Sequence, residues 1–214
     1  QPGISKAILE LEAELGIDAD AARNIQRVVL VACGTSHHAA LVGRYWIEQL
    51  ARVPAHTELA SEVRYRDPVF GPKDLVVAVS QSGETADTLA AVKAAREGGA
   101  RVLAIVNVLD SAIPRASQGA LYTHAGPEIG VASTKCFTTQ LVALLLLAVQ
   151  LGRRRGALDA ERGREILQAL MELPNEMRWA LARKVDIHQV ARHWHNAPHM
   201  LFLGRGLGYP IALE

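Results

Sequence analysis

Apolar runs alternate with helix-length segments along the first 150 residues, and this rhythm limits the possible folds most strongly. Apolar runs, rich in β-branched residues in most cases, are strand candidates at 28–32, 75–79 and 102–106, with weaker ones at 57–60 and 120–124. Helical patterns lie between them at 36–51, 85–97 and 134–151. This alternation predicts βαβ units and an α/β fold, a doubly wound and mostly parallel five-stranded sheet flanked by helices. In such sheets, ligands bind beyond the carboxyl ends of the strands, where the strand order reverses.

The chain divides into four predicted segments. They are an N-terminal helical segment at 1–24, the α/β domain at 25–152, a helical connector at 153–196, and the start of a second domain at 197–214. The first segment places Ile8, Leu11 and Leu15 on one helix face, with Gly16 as a stop signal. The connector has apolar residues at helical spacing, and we expect a break at Pro174.

The last segment repeats the beginning of the α/β domain. The apolar run 200–203 leads into the glycine-rich turn 204–208, as the run 28–32 leads into the turn 33–36. A strand and half a helix cannot bury a core on their own. We therefore expect the chain to be a fragment of a larger protein, with a truncated second domain.

Charge, hydropathy and cysteine content limit which partners and which cellular location are expected. The net charge is +1, and the one basic run, 153–155, reads as a solvated helix end, so no nucleic acid is expected. The longest apolar run, 141–149, is about half of a membrane span, so no membrane is expected either. The two cysteines, Cys33 and Cys136, offer no disulfide framework, and Gln1 begins the chain without a signal-peptide pattern. These features predict a cytoplasmic protein.

Three hydroxyl-rich loops carry the candidate chemistry. Ser80–Thr85 follows the third predicted strand and opens a helix, where unpaired backbone N–H groups and the helix dipole favour an anion. This loop contains no Lys or Arg, which favours a small phosphorylated metabolite over a nucleotide polyphosphate. Loops 33–36 and 128–135 also precede helices, and all three could converge on one edge of the sheet. That arrangement suits a polyhydroxylated phosphate ester.

Each loop also allows a reading without a ligand. Thr35 or Ser36, a hydroxyl of the Ser80–Thr85 loop, and Ser133 or Thr134 could simply cap the helices that follow. No sequence of the G-x-x-x-x-G-K-[ST] or G-x-G-x-x-G type follows the first strand, and no cofactor or metal is expected. Cys33 beside His37 and His38 allows a nucleophile–base reading, but a small cysteine packed at a strand end is favoured.

With these loops in view, the chain resembles the SIS (sugar isomerase) domain family, and within it the isomerase portion of the glutamine–fructose-6-phosphate aminotransferases, also called glucosamine-6-phosphate synthases. The matching stretches run in the family's order, at 32–36, 60–66, 80–88, 128–135 and 209–214. The S-Q-S-G-E-T stretch marks the broader family, whereas E-I-G-V-A-S-T-K points more narrowly to the synthases.

The resemblance implies a flavodoxin-like SIS fold that binds a phosphorylated sugar, fructose 6-phosphate or glucosamine 6-phosphate. The family's phosphate loop falls on Ser80, Gln81, Ser82 and Thr85. The resemblance further implies sugar-pocket contacts from Thr35 with the adjacent Ser36, and from Val131 and Ser133. It also implies a homodimer in hexosamine biosynthesis, since family members share residues between subunits.

The family's catalytic glutamate, histidine and Schiff-base lysine would lie beyond the position of Glu214, so we assign no catalytic residue. The resemblance implies that the parent enzyme converts fructose 6-phosphate to glucosamine 6-phosphate with glutamine-derived ammonia. Two alternatives remain open, a SIS-type aminosugar-phosphate deaminase or isomerase and a non-catalytic sugar-phosphate sensor. The sensor is disfavoured because residues 1–24 are too short and acidic for the DNA-binding domain of a SIS-containing regulator.

Overall fold

A parallel five-stranded sheet forms the centre of the protein, described by a computed structural model over residues 17–130 and 133–214. The strands are β1 Arg27–Ala32, β2 Ala55–Leu59, β3 Asp74–Ser80, β4 Arg101–Val106 and β5 Gly119–Tyr122. Their order is β2-β1-β3-β4-β5, and all neighbours pair in parallel. The predicted doubly wound α/β fold is therefore confirmed.

Helices connect and cover the strands. They are α1 Ala19–Asn24, α2 Thr35–Trp46 with a π-helical extension Ile47–Ala51, α3 Ala60–Arg66, α4 Ala86–Glu97, α5 Ala112–Ala116, α6 Lys135–Arg155, α7 Ala160–Ala182, α8 Lys184–Trp194 and α9 Gly208–Leu213. The strands, helices and connections match the order expected for βαβ units.

Two apolar cores lie on opposite faces of the sheet. Alternate strand residues serve each face, so Val28 and Leu30 pack towards α2 and α6, whereas Val29 and Val31 pack towards α3, α4 and α5. Because both faces are covered, the central strands read as continuous apolar runs rather than as alternating ones. This explains why they were the clearest elements of the sequence.

The strand order reverses between β1 and β3. From β1 the chain passes to β2 on one side of the sheet, and from β2 it crosses to β3 on the other side. The loops that leave the carboxyl ends of β1 and β3 therefore move apart and leave a crevice between them. Two of the three hydroxyl-rich loops are these loops.

Some predicted boundaries differ from the structure. The weak strand at 57–60 lies at 55–59, and its last predicted residue, Ala60, begins the short helix α3. Helices α3 and α5 were not predicted, because five to seven residues are too few to show a helical period. Gly152 does not end α6, which continues to Arg155 and stops at Gly156 in the left-handed conformation (φ 72°).

The prediction that the basic run 153–155 is a solvated helix end is wrong for Arg155. It is half-buried and donates to the carbonyl oxygens of Ala22, Ile25 and Ala51. Arg153 donates to the carbonyl oxygen of Leu158. The run therefore joins the end of α6 to the rest of the domain, in addition to complementing the helix dipole.

Within the described ranges, α6 is the one helix whose length and composition would allow it to cross a membrane. Its apolar residues have a different use here. Leu144, Leu147 and Leu151 are almost completely buried in the core beside α2 and the sheet. A core helix of this kind meets the same length and composition test.

The predicted break at Pro174 is wrong. Helix α7 runs through Pro174, and the chain interrupts its helical course at Arg183 instead. Proline costs the helix one backbone hydrogen bond but does not have to end it. Much of α7 and α8 is exposed, including Trp179, Ile187 and Trp194.

The two ends of the chain also bear on predictions. Residues 1–16, which hold most of the predicted N-terminal helix, lie outside the described residues, and α1 follows them, capped by Asp18. The strand predicted at 200–203 is not formed. Leu201 and Leu203 are 89% and 88% exposed, since no neighbouring strand in the described structure pairs with them. The helix start predicted after the glycine-rich turn is present as α9, which packs against α2.

Candidate sugar-phosphate site

A cavity of about 260 Å³ lies at the crevice between β1 and β3. The lining residues come from all three hydroxyl-rich loops: Cys33, Gly34, Thr35, Ser36, Val79, Ser80, Gln81, Ser82, Thr85, Gly130 and Ser133. No Asp, Glu, Lys, Arg or His is among these lining residues. Seven of the eight residues predicted to bind substrate thus line one cavity. The eighth, Val131, lies outside the described residues.

The Ser80–Thr85 loop is folded around the hydroxyl of Ser80. Ser80 is buried at the end of β3, and its Oγ accepts a hydrogen bond from the Gly83 backbone N–H at 3.0 Å. The same Oγ lies 3.2 Å from Thr85 Oγ1. Ser82 Oγ accepts from the Glu84 backbone N–H at 3.2 Å. The loop therefore forms a tight turn that holds three hydroxyls at the cavity wall.

The segment after β4 supports this turn from behind. The Ile113 N–H donates to the carbonyl oxygen of Gly83 at 2.9 Å, and Glu84 Oε1 accepts from the Ala112 N–H at 2.7 Å. Gly83 itself has a φ of 67°, which glycine adopts without the strain that a side chain would cause. A Cβ at this position would lie only 1.9 Å from Ser111 Oγ. The sequence shows the glycine but not the close approach that requires it.

Helix α4 begins beside the turn, and its N-cap residue, Thr85, makes no side-chain cap bond. Its first-turn N–H groups lack partners within the helix and carry the positive end of the dipole. Asp87 in the first turn pairs with Arg64 at 2.8 Å, so its negative charge is partly offset. The N-terminal end of α4 and the loop hydroxyls together offer hydrogen-bond donors to an anion, and no cationic side chain is needed.

The loop after β1 presents two hydroxyls with different partners. Gly34, with φ 55°, precedes α2, which has no side-chain cap. Thr35 Oγ1 donates to Glu214 Oε1 at 2.6 Å, and Glu214 Oε2 lies 2.6 Å from His38 Nδ1. Ser36 is 8% exposed, and its Oγ accepts from Gln140 Nε2 at 2.9 Å. Neither hydroxyl caps α2, so the capping alternative is wrong at this loop.

The third loop reaches the cavity through Gly130 and Ser133. Thr134, the N-cap residue of α6, makes no side-chain cap bond, so the capping alternative is wrong for Thr134. Glu128 caps the helix instead, because its Oε2 accepts hydrogen bonds from the backbone N–H groups of Thr134 and Cys136 at 3.2 and 3.1 Å. These bonds, with that from Cys136 first, lower the pKa of Glu128. The sequence did not indicate this role, because Glu128 lies six residues before Thr134, the N-cap residue of the helix.

A second cavity, of about 320 Å³, lies beside the first residues of β1 and contains none of the predicted site residues. Its charged groups are mostly paired: Arg27 bonds Asp74 at 2.5 and 2.9 Å, and Arg66 bonds Glu58 at 3.0 Å. Burial acts to raise the pKa of Asp74, but the bonds from Arg27 and the Gly71 N–H lower it overall. We interpret this region as structural ion pairing.

The two cysteines lie in different surroundings. Both are free thiols, and no group of three metal-binding side chains exists in ranges 17–130 and 133–214. Cys136 is fully buried, and burial, followed by the nearby Glu128 carboxylate, raises its pKa to about 11. Cys33 is half-buried at the cavity wall. Burial, followed by the neighbouring His38, lowers the pKa of His37.

Comparison with known proteins agrees with this geometry. The SIS domain model matches residues 23–150, which include the sheet, the Ser80–Thr85 loop and most of α6. The chain belongs to the SIS domain family.

More specific relatives share a single description. The chain is 54% identical over 193 residues to a glutamine–fructose-6-phosphate aminotransferase (isomerizing) of Xylella fastidiosa, covering 90% of this chain and 32% of the relative. The enzyme of that description from Corynebacterium efficiens is 49% identical over 201 residues, covering 94% and 32%. The solved C-terminal domain of the glucosamine–fructose-6-phosphate aminotransferase of Francisella tularensis is similar with a TM-score of 0.87 at 40% identity, covering 91% of this chain and 55% of that one. The predicted resemblance is confirmed, and the chain spans about a third of the length of these curated relatives.

Proposed function

We propose that this chain is the sugar-phosphate-binding part of an enzyme that converts fructose 6-phosphate to glucosamine 6-phosphate with ammonia derived from glutamine. One observation carries the proposal: the hydroxyls of three separate loops line one uncharged cavity at the switch point of the sheet. The relatives named as glutamine–fructose-6-phosphate aminotransferases give the reaction class.

The phosphate group occupies the Ser80–Thr85 side of the cavity. There the hydroxyls of Ser82 and Thr85 and the start of α4 supply donors. A phosphate dianion accepts hydrogen bonds only, so it suits a wall built from O–H and N–H donors. Each bond to a charged group contributes about 1.5–3 kcal/mol. Several such bonds, after the ordering cost of binding, give an affinity between about millimolar and micromolar.

The sugar extends towards Thr35, Ser36 and Ser133 on the opposite side of the cavity. Thr35 donates its proton to Glu214, so its oxygen is left to accept a bond from a sugar hydroxyl. These residues bind and orient the substrate. The proton transfers and the amination are carried out by other groups of the parent enzyme. We assign no residue of this chain to those steps.

We further propose that the parent enzyme is a cytoplasmic homodimer. Free thiols at both cysteines fit a reducing compartment. Light scattering on the full-length enzyme, with a monomer mass as the contradicting result, tests the dimer. Fractionation of the source cells tests the location, and recovery outside the cytoplasm would contradict it.

Ser82→Ala tests the phosphate assignment. Removing one hydroxyl that donates to phosphate should weaken binding of fructose 6-phosphate by about 10–100-fold, because one such bond is worth about 1.5–3 kcal/mol. Stability should change little, since only the local bond from the Glu84 N–H is lost. Ser117→Ala is the matched control, because Ser117 also bonds to backbone and lies away from the cavity. Calorimetric titration that finds equal affinity in Ser82→Ala and wild type would remove the phosphate assignment.

A further inference from the structure

Gln140 is a buried polar side chain in the apolar interface between α6 and α2. It is 1% exposed, and its Nε2 donates to Ser36 Oγ at 2.9 Å. Its Oε1 has no hydrogen-bond partner among the residues that the structure describes. Burying an amide with one group unpaired is unfavourable, and an apolar side chain of the same size would avoid that cost. The hydrogen bond to Ser36 is therefore the feature that can account for a polar side chain at this buried position.

The direction of this bond decides what Ser36 offers to the cavity. A serine hydroxyl has one proton to donate and two lone pairs that accept. Because Gln140 presents an N–H, it occupies a lone pair of Ser36 Oγ, and the proton of Ser36 cannot point towards it. That proton remains free for a different acceptor. Ser36 lines the cavity, so a ligand oxygen there is the available acceptor.

The neighbouring residue has the opposite arrangement. Thr35 Oγ1 donates to the Glu214 carboxylate at 2.6 Å, so its oxygen faces other groups as an acceptor. Two adjacent hydroxyls are thereby given different hydrogen-bonding directions, one by Gln140 of α6 and the other by Glu214, which follows α9. A sugar hydroxyl can either donate or accept, so a fixed donor beside a fixed acceptor determines how the sugar hydroxyls must orient in the cavity.

We propose that Gln140 is a positioning residue that fixes Ser36 as a hydrogen-bond donor to the bound sugar phosphate. The inference rests on the proposed function, because it takes the ligand of the cavity to be a sugar phosphate. Gln140 acts through Ser36 and lies outside the cavity lining.

Three variants test the direction of the bond by calorimetric titration with fructose 6-phosphate. Gln140→Met keeps the volume but removes the donor, and it should weaken binding by about 2–15-fold, the range of one neutral hydrogen bond. When its carboxyl is ionised, Gln140→Glu places only acceptors there and draws the proton of Ser36 away from the ligand, so it should weaken binding more. Gln150→Met is the control, because Gln150 is also buried on α6 but lies ten residues further along.

A pH profile separates positioning from general damage. As the pH falls through the pKa of the new carboxyl, which burial raises, the Gln140→Glu side chain takes up a proton and regains a donor, so its affinity relative to wild type should recover. Comparison with wild type at each pH removes the pH dependence that comes from the ligand and from His37, His38 and Cys136 near the two helices. A helix that is merely perturbed would not recover in this way. This variant also serves if Gln140→Met does not fold.

Coupling to Ser36 completes the test. Adding Ser36→Ala to Gln140→Met should weaken binding less than Ser36→Ala does in wild type. Fully additive effects, or wild-type affinity of Gln140→Glu at a pH where its carboxyl is ionised, would overturn the inference. If wild-type protein itself does not bind fructose 6-phosphate, the proposed function fails instead, so the two failures are distinguishable.

Discussion

Gly83→Ala should destabilise the protein by more than the backbone strain that any side chain would cause at this positive φ. Gly83 has a φ of 67°, and a Cβ there would lie 1.9 Å from Ser111 Oγ and 2.7 Å from Ser111 Cβ. Ser111 cannot easily move away, because it is 3% exposed and its hydroxyl donates to the Val108 carbonyl oxygen at 2.8 Å. The substitution therefore combines backbone strain with a steric collision.

The two contributions can be estimated separately. A left-handed conformation costs a residue with a side chain about 1–2 kcal/mol. Inserting a methyl group into a filled space costs typically about 1–3 kcal/mol. Together they predict a loss of roughly 2–5 kcal/mol in the free energy of unfolding. For a chain of this length, each kcal/mol lowers the melting temperature by about 2–4 °C.

Gly156→Ala is the matched control. Gly156 has a φ of 72° and no atom within 4 Å of the position of an added Cβ, so this change costs only the backbone strain. Denaturant unfolding followed by circular dichroism gives the two free energies. Gly83→Ala should lose clearly more than Gly156→Ala, and its excess should largely disappear in a Ser111→Gly background. Equal losses for the two glycines, or an unchanged excess without the Ser111 side chain, would refute the steric argument.

Two further predictions concern the thiols and the cap of α6. At pH 8, iodoacetamide should modify Cys33 but not the buried Cys136, whose pKa is about 11, and fructose 6-phosphate should slow modification of Cys33 at the cavity wall. Mass spectrometry of the labelled native protein measures this, and equal labelling of both thiols would contradict it. Because the pKa of Glu128 is lowered in the folded state from its ordinary value of 4.5, its contribution to stability is present above pH 4.5 and is lost as the pH falls through the folded-state pKa. Glu128→Gln should therefore melt below wild type at pH 7 and approach it in acid, whereas a difference independent of pH would contradict the capping role.

The central part of the fold could be predicted because its strands are buried on both faces. β1, β3 and β4 read as continuous apolar runs that need no partner information to be recognised. Short or edge elements gave less signal. Helix α3 was missed because seven residues, Ala60–Arg66, show too little of a helical period, and its first residue had been assigned to the preceding strand.

The candidate site was predictable to the level of its loops. Hydroxyls that follow strands in a doubly wound sheet must meet at one edge, and Ser80, Ser82 and Ser133 do so. The supporting contacts were not predictable, because they join residues distant in sequence. The pair of Gln140 and Ser36 is separated by 104 positions, and Glu214 reaches Thr35 across 179. Nothing in a local pattern marks such partners.

Calorimetric titration of the wild-type chain with fructose 6-phosphate tests the central claim most directly, with fructose and inorganic phosphate titrated in parallel. The account predicts saturable binding at millimolar to micromolar affinity that inorganic phosphate competes away and that fructose alone does not reproduce. Absence of binding by a folded sample, or equal binding of fructose and fructose 6-phosphate, would contradict the claim that the cavity between β1 and β3 is a sugar-phosphate site.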